Sequence, residues 1–439
     1  METRHEDRES EPRSNASGHV GETLARPNMR SRRPSVPGYV NRPCADWRYV
    51  LMFALLLIPF YPPTGFFNVL GLDYSSVLLG LQIFAAIVTL FLGAVRKRLD
   101  IFSGIALAIV AVMFLSTFLN EGFGRGWIYV QCFLDWMPLA VAVLIVGYAR
   151  QRHMTDFLIA LLVVTGFLSI CNTVSILAFP DGFNFGGREP FNFFGHKNSS
   201  IDIVLPSIVC SLLLDRRKGR RLSARSVMFA AIGCVQFLVS YSATSVIAIL
   251  FFFILLALCR LPRIASLVNG FSLLGGYAVT VVLLMAVKVQ ELFAPILVGV
   301  LGKTTTFTLR TFVWEGVLSM MTPEHLLLGY GASVRFSLFF NDYLYNNAHN
   351  FFLHVLVSGG LIGVVLYCIL ILLAANKMVS SRVSSTIVLA AFGCLLVVGL
   401  MESLITITWP LVLALGYYGV ESGFYSCLLY TSDAADDLI

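Results

Sequence analysis

His349-Asn350 opens directly into the apolar run Phe351-Phe352-Leu353-His354 and continues through Ser358-Gly359-Gly360-Leu361-Ile362-Gly363. An imidazole has an ordinary pKa of about 6.5 and takes a proton near neutrality, which makes His349 a candidate general base. The competing account is a histidine that caps a helix or bonds a loop carbonyl. At about 100° per residue, His349, Leu353, Leu356, Gly360 and Gly363 fall in one narrow stripe. The spacing therefore predicts a helix headed by His349, with a glycine-smoothed face that another helix can approach closely. His354 lies about 140° further round the same helix and is read as structural.

Cations supply a second kind of chemistry. Arg188 lies in Gly186-Gly187-Arg188-Glu189-Pro190, and Arg310 in Thr308-Leu309-Arg310-Thr311-Phe312-Val313-Trp314. A guanidinium fork fits phosphate oxygens bidentately, so two such arginines at a membrane face suit a lipid-linked diphosphate. Taken singly, each is as simply explained by an ion pair with its neighbour, Glu189 or Glu315. His196 and Lys197, in Gly195-His196-Lys197-Asn198, are either phosphate contacts or solvated loop residues. The acids Asp135, Asp202, Glu402 and Glu421 fall within apolar runs, where an ionisable group is a functional candidate by default. Proton relay and a hydrogen bond between helices are both open for Asp135 and Asp202, the bond being simpler. Glu402 is read as reaching water at a helix end. No glycine-rich phosphate loop, HExxH or nucleophile elbow is present, and neither ATP-driven nor metal-dependent chemistry is signalled.

The elements that hold these residues follow from composition. The chain has 439 residues, of which 57% are hydrophobic and 13% charged, and its mean hydropathy is +0.80. Soluble domains carry about 25% charged residues, and uncharged runs such as Val227–Cys259 define an all-α polytopic membrane protein. Apolar segments near 49–69, 74–95, 101–119, 128–148, 157–179, 199–214, 226–241, 244–259, 264–287, 350–374, 384–402 and 407–428 give about twelve transmembrane helices. The seventh and eighth share one apolar run, which Ser240-Tyr241-Ser242-Ala243-Thr244-Ser245 is expected to turn. The net charge of +6 is spread over short clusters between spans, a topology signal rather than a nucleic-acid surface. Lys and Arg gather in alternate loops, and the other side keeps only Arg125, Arg188, Lys197, Lys288, Lys303, Arg310 and Arg335. That bias puts both termini in the cytoplasm. Nine scattered cysteines without CxxC spacing imply neither disulfides nor zinc.

The domain reading is then a disordered cytoplasmic tail over 1–47, whose following apolar run is a retained anchor, and a membrane domain of nine spans over 48–288. A large outer loop with short helices covers 289–348, with apolar stretches at Phe293–Leu301, Phe312–Met321 and Leu326–Leu328. Three last spans occupy 349–429, and 430–439 is a polar tail or a scar. A loop of that length is more than a connector.

Together these features resemble the O-antigen ligase and polymerase superfamily of bacterial surface-polysaccharide assembly. Its signature, His then Asn, Ser or Gln, nine residues, Gly, two residues and Gly, Thr or Tyr, is matched by His349-Asn350, Gly360 and Gly363. Arg310, Trp314 and Leu328-Gly329-Tyr330-Gly331 look like the family's Arg…Trp…Gly-Tyr-Gly loop, and Arg188…Gly195-His196-Lys197-Asn198 like its Arg…Gly…Asn segment. Two departures are Ser240-Tyr241-Ser242-Ala243-Thr244 in place of Ser-x-Ser-Arg, and Ser358 where many members carry Glu. The resemblance implies a metal- and cofactor-independent glycosyltransferase of the C-type membrane fold, in the bacterial inner membrane with its active site on the periplasmic side. Its donor would be a glycan on undecaprenyl diphosphate. Its acceptor would be lipid A–core for a ligase, or a second lipid-linked glycan for a polymerase. In that picture Arg188 and Arg310 bind the diphosphate, His349 takes the acceptor proton, and Trp314 and Tyr330 shape the sugar site. Lys197 and Arg335 are weaker phosphate candidates. A transporter or flippase of lipid-linked sugars is the alternative, and it explains the long outer loop less well.

Overall fold

A computed structural model describes residues 45–71, 73–95, 99–121, 126–150, 152–183, 191–285, 287–288, 310–332, 338–340, 343–345, 347–379 and 383–419. The polar tail, Arg188, Arg335, Phe293–Leu301, Glu421 and the C-terminal segment lie outside the described residues. In chain order the helices are α1 (Trp47–Leu57), α2 (Thr64–Val69), α3 (Ser75–Val95), α4 (Ile101–Glu121), α5 (Gly126–Ala149) and α6 (Met154–Ala178). Then come α7 (Ile201–Arg217), prefaced by a 3-10 turn Lys197–Ser200, α8 (Ala224–Val239), α9 (Ala243–Leu258), α10 (Pro262–Ala265) and α11 (Gly270–Met285). The last are α12 (Arg310–Met320), α13 (Phe351–Ala375), α14 (Val383–Gly399) and α15 (Thr408–Tyr418). A hairpin of two three-residue strands, Leu338–Phe340 and Tyr343–Tyr345, is the only strand pair beyond isolated bridges among the described residues.

Each of the twelve apolar segments contains a helix, because such side chains leave the backbone no partner in hydrocarbon but itself. Among the described residues six helices, α3 to α7 and α13, are long and apolar enough to cross a membrane, and α1, α8, α9, α11 and α14 are shorter apolar helices. The shared run turns at Ser240-Tyr241-Ser242, where Tyr241 takes φ 50°. Sequence neighbours pack together, and α4 on α13, α9 on α14, α1 on α6 and α5 on α15 close the bundle. Where lipid is as apolar as leucine, packing and interhelical hydrogen bonds hold helices together. A buried polar set does this between α6, α7 and α8. Asn172 donates to Gln236 Oε1 at 2.8 Å and to Ser200 Oγ at 3.1 Å, and Gln236 donates to the Ser169 carbonyl at 2.8 Å.

The expected helix headed by His349 needs correction. His349 stands outside α13 in a left-handed turn, φ 47°. Asn350 is the N-cap, its side chain accepting from Leu353 N at 3.1 Å. Nor does the glycine stripe stay smooth. Gly360 breaks α13 with φ 62° and ψ −163°, a conformation open to glycine and costly for other residues. The freed backbone groups are taken up by Leu326–Gly331, which is turns rather than the expected short helix. Tyr330 N donates to Val357 O at 2.7 Å and Gly331 N to Ser358 O at 3.1 Å. In return Leu361 N and Ile362 N donate to Leu326 O and Leu327 O at 2.9 and 3.1 Å. Irregular backbone is tolerated there because these four bonds give freed groups partners within the protein. A Cβ at Gly360 would strike the Leu327 carbonyl, whereas one at Gly363 would press on the flexible end of Met113 and make ordinary contact with Val355.

Candidate active site at the helix ends

Three segments distant in sequence meet on the carboxylate of a fourth. Glu402 sits in the link between α14 and α15, held by two bonds from the segment before α13. Asn350 Nδ2 donates to Leu400 O at 3.3 Å, and Asn347 Nδ2 to Ser403 Oγ at 3.0 Å. Glu402 Oε1 accepts from Arg310 Nη2 at 2.6 Å and from Asn198 Nδ2 at 2.7 Å. Its Oε2 faces His349 Nδ1 at 3.7 Å, an ion-pair distance longer than a hydrogen bond. The side chains are mostly enclosed, at 15% exposure for Arg310, 21% for Glu402 and 27% for His349.

Each partner is positioned by its own local chemistry. The loop carrying Asn198 is anchored where Phe194 N donates to Asn172 Oδ1 at 2.9 Å, tying it to the polar set of α6–α8. His196 Nδ1 accepts from Asn198 N at 3.3 Å, and Asn198 Oδ1 accepts from Ser242 Oγ at 2.9 Å at the α8–α9 turn. Arg310 is the first residue of α12. His349 is held at both backbone ends: its N–H donates to Asn347 Oδ1 at 2.9 Å, and its carbonyl accepts from Trp314 Nε1 at 3.3 Å. Near the cluster, Asp202 of α7 accepts from Thr406 Oγ1 in the α14–α15 link at 2.8 Å, a bond from helix to link rather than between helices. Asp135 accepts from Gln131 of its own helix and stands outside the cluster.

Burial pushes the Glu402 pKa up. The facing His349 side chain, the Arg310 charge and the His349 and His196 charges outweigh it, holding Glu402 below the ordinary glutamate range. It is therefore an anion at neutral pH, next to a guanidinium and an imidazole. Such a group can stabilise the imidazolium that forms when the histidine takes a proton.

Of the predicted residues, Arg310, Trp314, His349 and Asn350 come together here. Lys197 lies in the adjacent turn and has no ion pair among the described residues. Tyr330 stacks on His325 with centroids 3.9 Å apart and gives its hydroxyl to the Met320 carbonyl, so it serves the packing beneath α12. His354 stacks against Trp136 of α5. Gly360 and Gly363 act on α13, as described. The near-neighbour pairing of Arg310 with Glu315 is not found: Glu315 bonds Lys288 Nζ at 3.1 Å, and Arg310 reaches Glu402 instead. Glu402, Asn198 and Ser242 are the residues that sequence reasoning did not assign to the site. The available signal was charge: Glu402 is an acid at the end of an apolar run.

Helices of this length and apolarity, with a charged cluster where their ends meet, define a polytopic helical membrane protein. Residues 227–368 match the family model described as O-antigen ligase, a match that supports the O-antigen ligase and polymerase superfamily. No curated protein and no solved structure matches the chain. The matched stretch includes Ser242, Arg310, Trp314, His349, Gly360 and Gly363, while Asn198 and Glu402 lie outside it. The match supports a role in surface-polysaccharide assembly by a glycosyltransferase-type enzyme.

Proposed function

We propose that the protein transfers a glycan from undecaprenyl diphosphate to an acceptor hydroxyl at the periplasmic face of the inner membrane, as a ligase to lipid A–core or as a polymerase to a second lipid-linked glycan. The observation that carries this reading is the Arg310–Glu402···His349 arrangement within and beside the stretch that matches the O-antigen ligase family. The acceptor oxygen forms the new bond to the anomeric carbon while the bond from that carbon to the diphosphate oxygen breaks. His349 takes the hydroxyl proton, and Glu402 stabilises the resulting imidazolium. Arg310 meets the charge growing on the leaving diphosphate with guanidinium N–H groups other than the one given to Glu402. Arg188 and, more weakly, Lys197 and Arg335 are the further phosphate-binding candidates, and Trp314 fixes the backbone turn that aims the imidazole. The donor is already activated, so no nucleotide or metal is called for. The topology that goes with this reading has about twelve spans, both termini in the cytoplasm, and residues 289–348 as the outer loop.

The test is purified full-length protein in detergent, given an undecaprenyl-diphosphate oligosaccharide with lipid A–core or with a second lipid-linked glycan, in EDTA. Covalent glycan transfer without a two-sided membrane is the expected result. No transfer to either acceptor would overturn the reading, and transfer that requires a divalent cation would overturn its metal-independent form.

A further inference from the structure

The turn between α8 and α9 is strained. Among the described residues, four that are not glycine take a positive φ: Tyr241 at 50°, Lys288 at 53°, His349 at 47° and Leu404 at 49°. Three of the four border the Glu402 cluster. His349 faces the carboxylate, Leu404 follows it by two residues, and Tyr241 stands next to Ser242. A left-handed tyrosine is uncommon and persists only where the surrounding structure requires it. Its ring is not the reason, being 83% exposed. What the turn achieves is the burial of Ser242 and Ser245, each at 1% exposure, with Ser242 Oγ against Asn198.

A hydroxyl has one proton to give. Ser242 gives it to Asn198 Oδ1 at 2.9 Å. In the 2.8 Å contact between Ser242 Oγ and Ser245 Oγ, Ser245 is then the donor. With its oxygen taken, the Asn198 amide turns Nδ2 to Glu402 Oε1 at 2.7 Å. A flipped amide would set its carbonyl oxygen against the anion. Every proton along Ser245, Ser242 and Asn198 therefore points toward the carboxylate, and donors in such a line polarise one another. Arg310 Nη2 reaches the same Oε1 at 2.6 Å, which leaves Oε2 for the imidazole at 3.7 Å.

Arg310 is a poor sole anchor for Glu402, because in the transfer proposed above its guanidinium is also drawn to the diphosphate. We infer that Ser242 is a positioning residue: through the Asn198 amide it keeps Glu402 Oε2 aimed at His349 while Arg310 serves the donor. This rests on the transferase reading. The line acts on the proton transfer and not on donor binding, so its loss belongs in kcat rather than in KM.

The test is steady-state transfer by the full-length protein in detergent, with thermal unfolding of each variant. Ser242→Ala lowers kcat about 3- to 10-fold, as a misaligned reacting group does, while KM for the undecaprenyl-diphosphate donor changes by less than about twofold. Asn198→Asp keeps the shape of the amide and the acceptor for Ser242 but loses the N–H for Glu402, and lowers kcat at least as far. Either variant suffices for the decisive comparison, which is with Glu402→Gln, where the charge being aimed is gone. Adding Ser242→Ala or Asn198→Asp to Glu402→Gln costs nothing further, because residues that act through one another are not additive. Losses that multiply in the double variants overturn the inference. So does an unchanged kcat per folded molecule, with or without a lower unfolding temperature, or a KM that rises as far as kcat falls. The two proposals fail separately. Wild-type protein that transfers to neither acceptor sinks the transferase reading and the Ser242 role with it, whereas active wild type with multiplying losses sinks the Ser242 role alone.

Discussion

Glu402 and Asp100 are both carboxylates that an arginine holds at a helix end, but they are built differently. Asp100 precedes α4 and bonds locally: its Oδ1 accepts from Ser103 N at 3.0 Å and Ser103 Oγ at 2.8 Å, and its own N–H donates to Ser103 Oγ at 2.8 Å. Arg150 Nη1 takes Oδ2 at 3.1 Å, and Tyr418 donates to Oδ1 at 2.9 Å with the Arg150 guanidinium over its ring. Both oxygens are committed, and the result is a capped helix pinned to α5 and α15. Glu402 caps nothing. Its partners come from distant parts of the chain, and one oxygen looks toward an imidazole at 3.7 Å. A carboxylate that only anchors can take part of its bonding from the next turn, as Asp100 does from Ser103. One that supports chemistry has to be met by residues that themselves need placing.

The comparison breaks most directly at the histidine. His349→Ala should lower turnover of the lipid-linked donor by about 10²- to 10⁴-fold at unchanged protein level, the usual contribution of a positioned acid–base group. A loss under twofold would make the Glu402 cluster another anchor. The next effect separates the two carboxylates. Glu402→Gln keeps a side-chain oxygen for Asn198 but removes the charge facing His349 and Arg310. It should cut kcat by about 10- to 100-fold, a share of that acid–base contribution. Asp100→Asn should lose stability, about 1–3 kcal/mol for a disturbed part-buried charged network, with turnover per folded molecule unchanged. Thermal unfolding and turnover measured on both variants would refute the distinction if the two losses ran in parallel. Arg310→Lys sharpens it further: a lysine can still meet Glu402 but lacks the fork, so KM for the diphosphate donor should rise about tenfold with a smaller change in kcat. An unchanged KM would remove Arg310 from donor binding.

These contrasts also show which parts of the molecule could be read in advance. The apolar runs became helices, and the Ser240–Ser242 turn fell inside the expected stretch, because both are decided by residues close in sequence. Arg310 was legible as one of the few cations outside the basic clusters. Its partner was not, since Glu402 lies 92 residues away and the nearer Glu315 is taken by Lys288. Helical periodicity put His349 on a stripe with Gly360 and Gly363, and it failed at both ends for one reason. It presumes regular backbone, and here His349 at φ 47° and Gly360 at φ 62° leave the helix. A glycine pair is compatible with a smooth face and with a break. Only the loop Leu326–Gly331, which supplies the partners for the freed backbone, decides between them.

The smallest effect concerns acid, where the two carboxylates should behave alike. Burial raises the pKa of each, and each is nevertheless held low: Asp100 by Ser103, Tyr418 and Arg150, and Glu402 by His349 and Arg310. A carboxylate depressed in the folded state adds stability that is fully present above its unfolded pKa, about 3.9 for Asp and 4.3 for Glu. That stability is lost as pH falls through the folded value. The stability gap between wild type and either Asp100→Asn or Glu402→Gln should therefore be constant through neutral pH and close only below about pH 4. Unfolding midpoints measured from pH 7 down to pH 3 check this, and a gap that closed between pH 5 and 7 would mean that neither depression exists. Because the two curves should match, titration cannot say which carboxylate works and which anchors. What distinguishes them is the imidazole beside one and its absence beside the other among the described residues, so the turnover of the two variants has to be compared at a pH where both wild-type carboxylates are ionised.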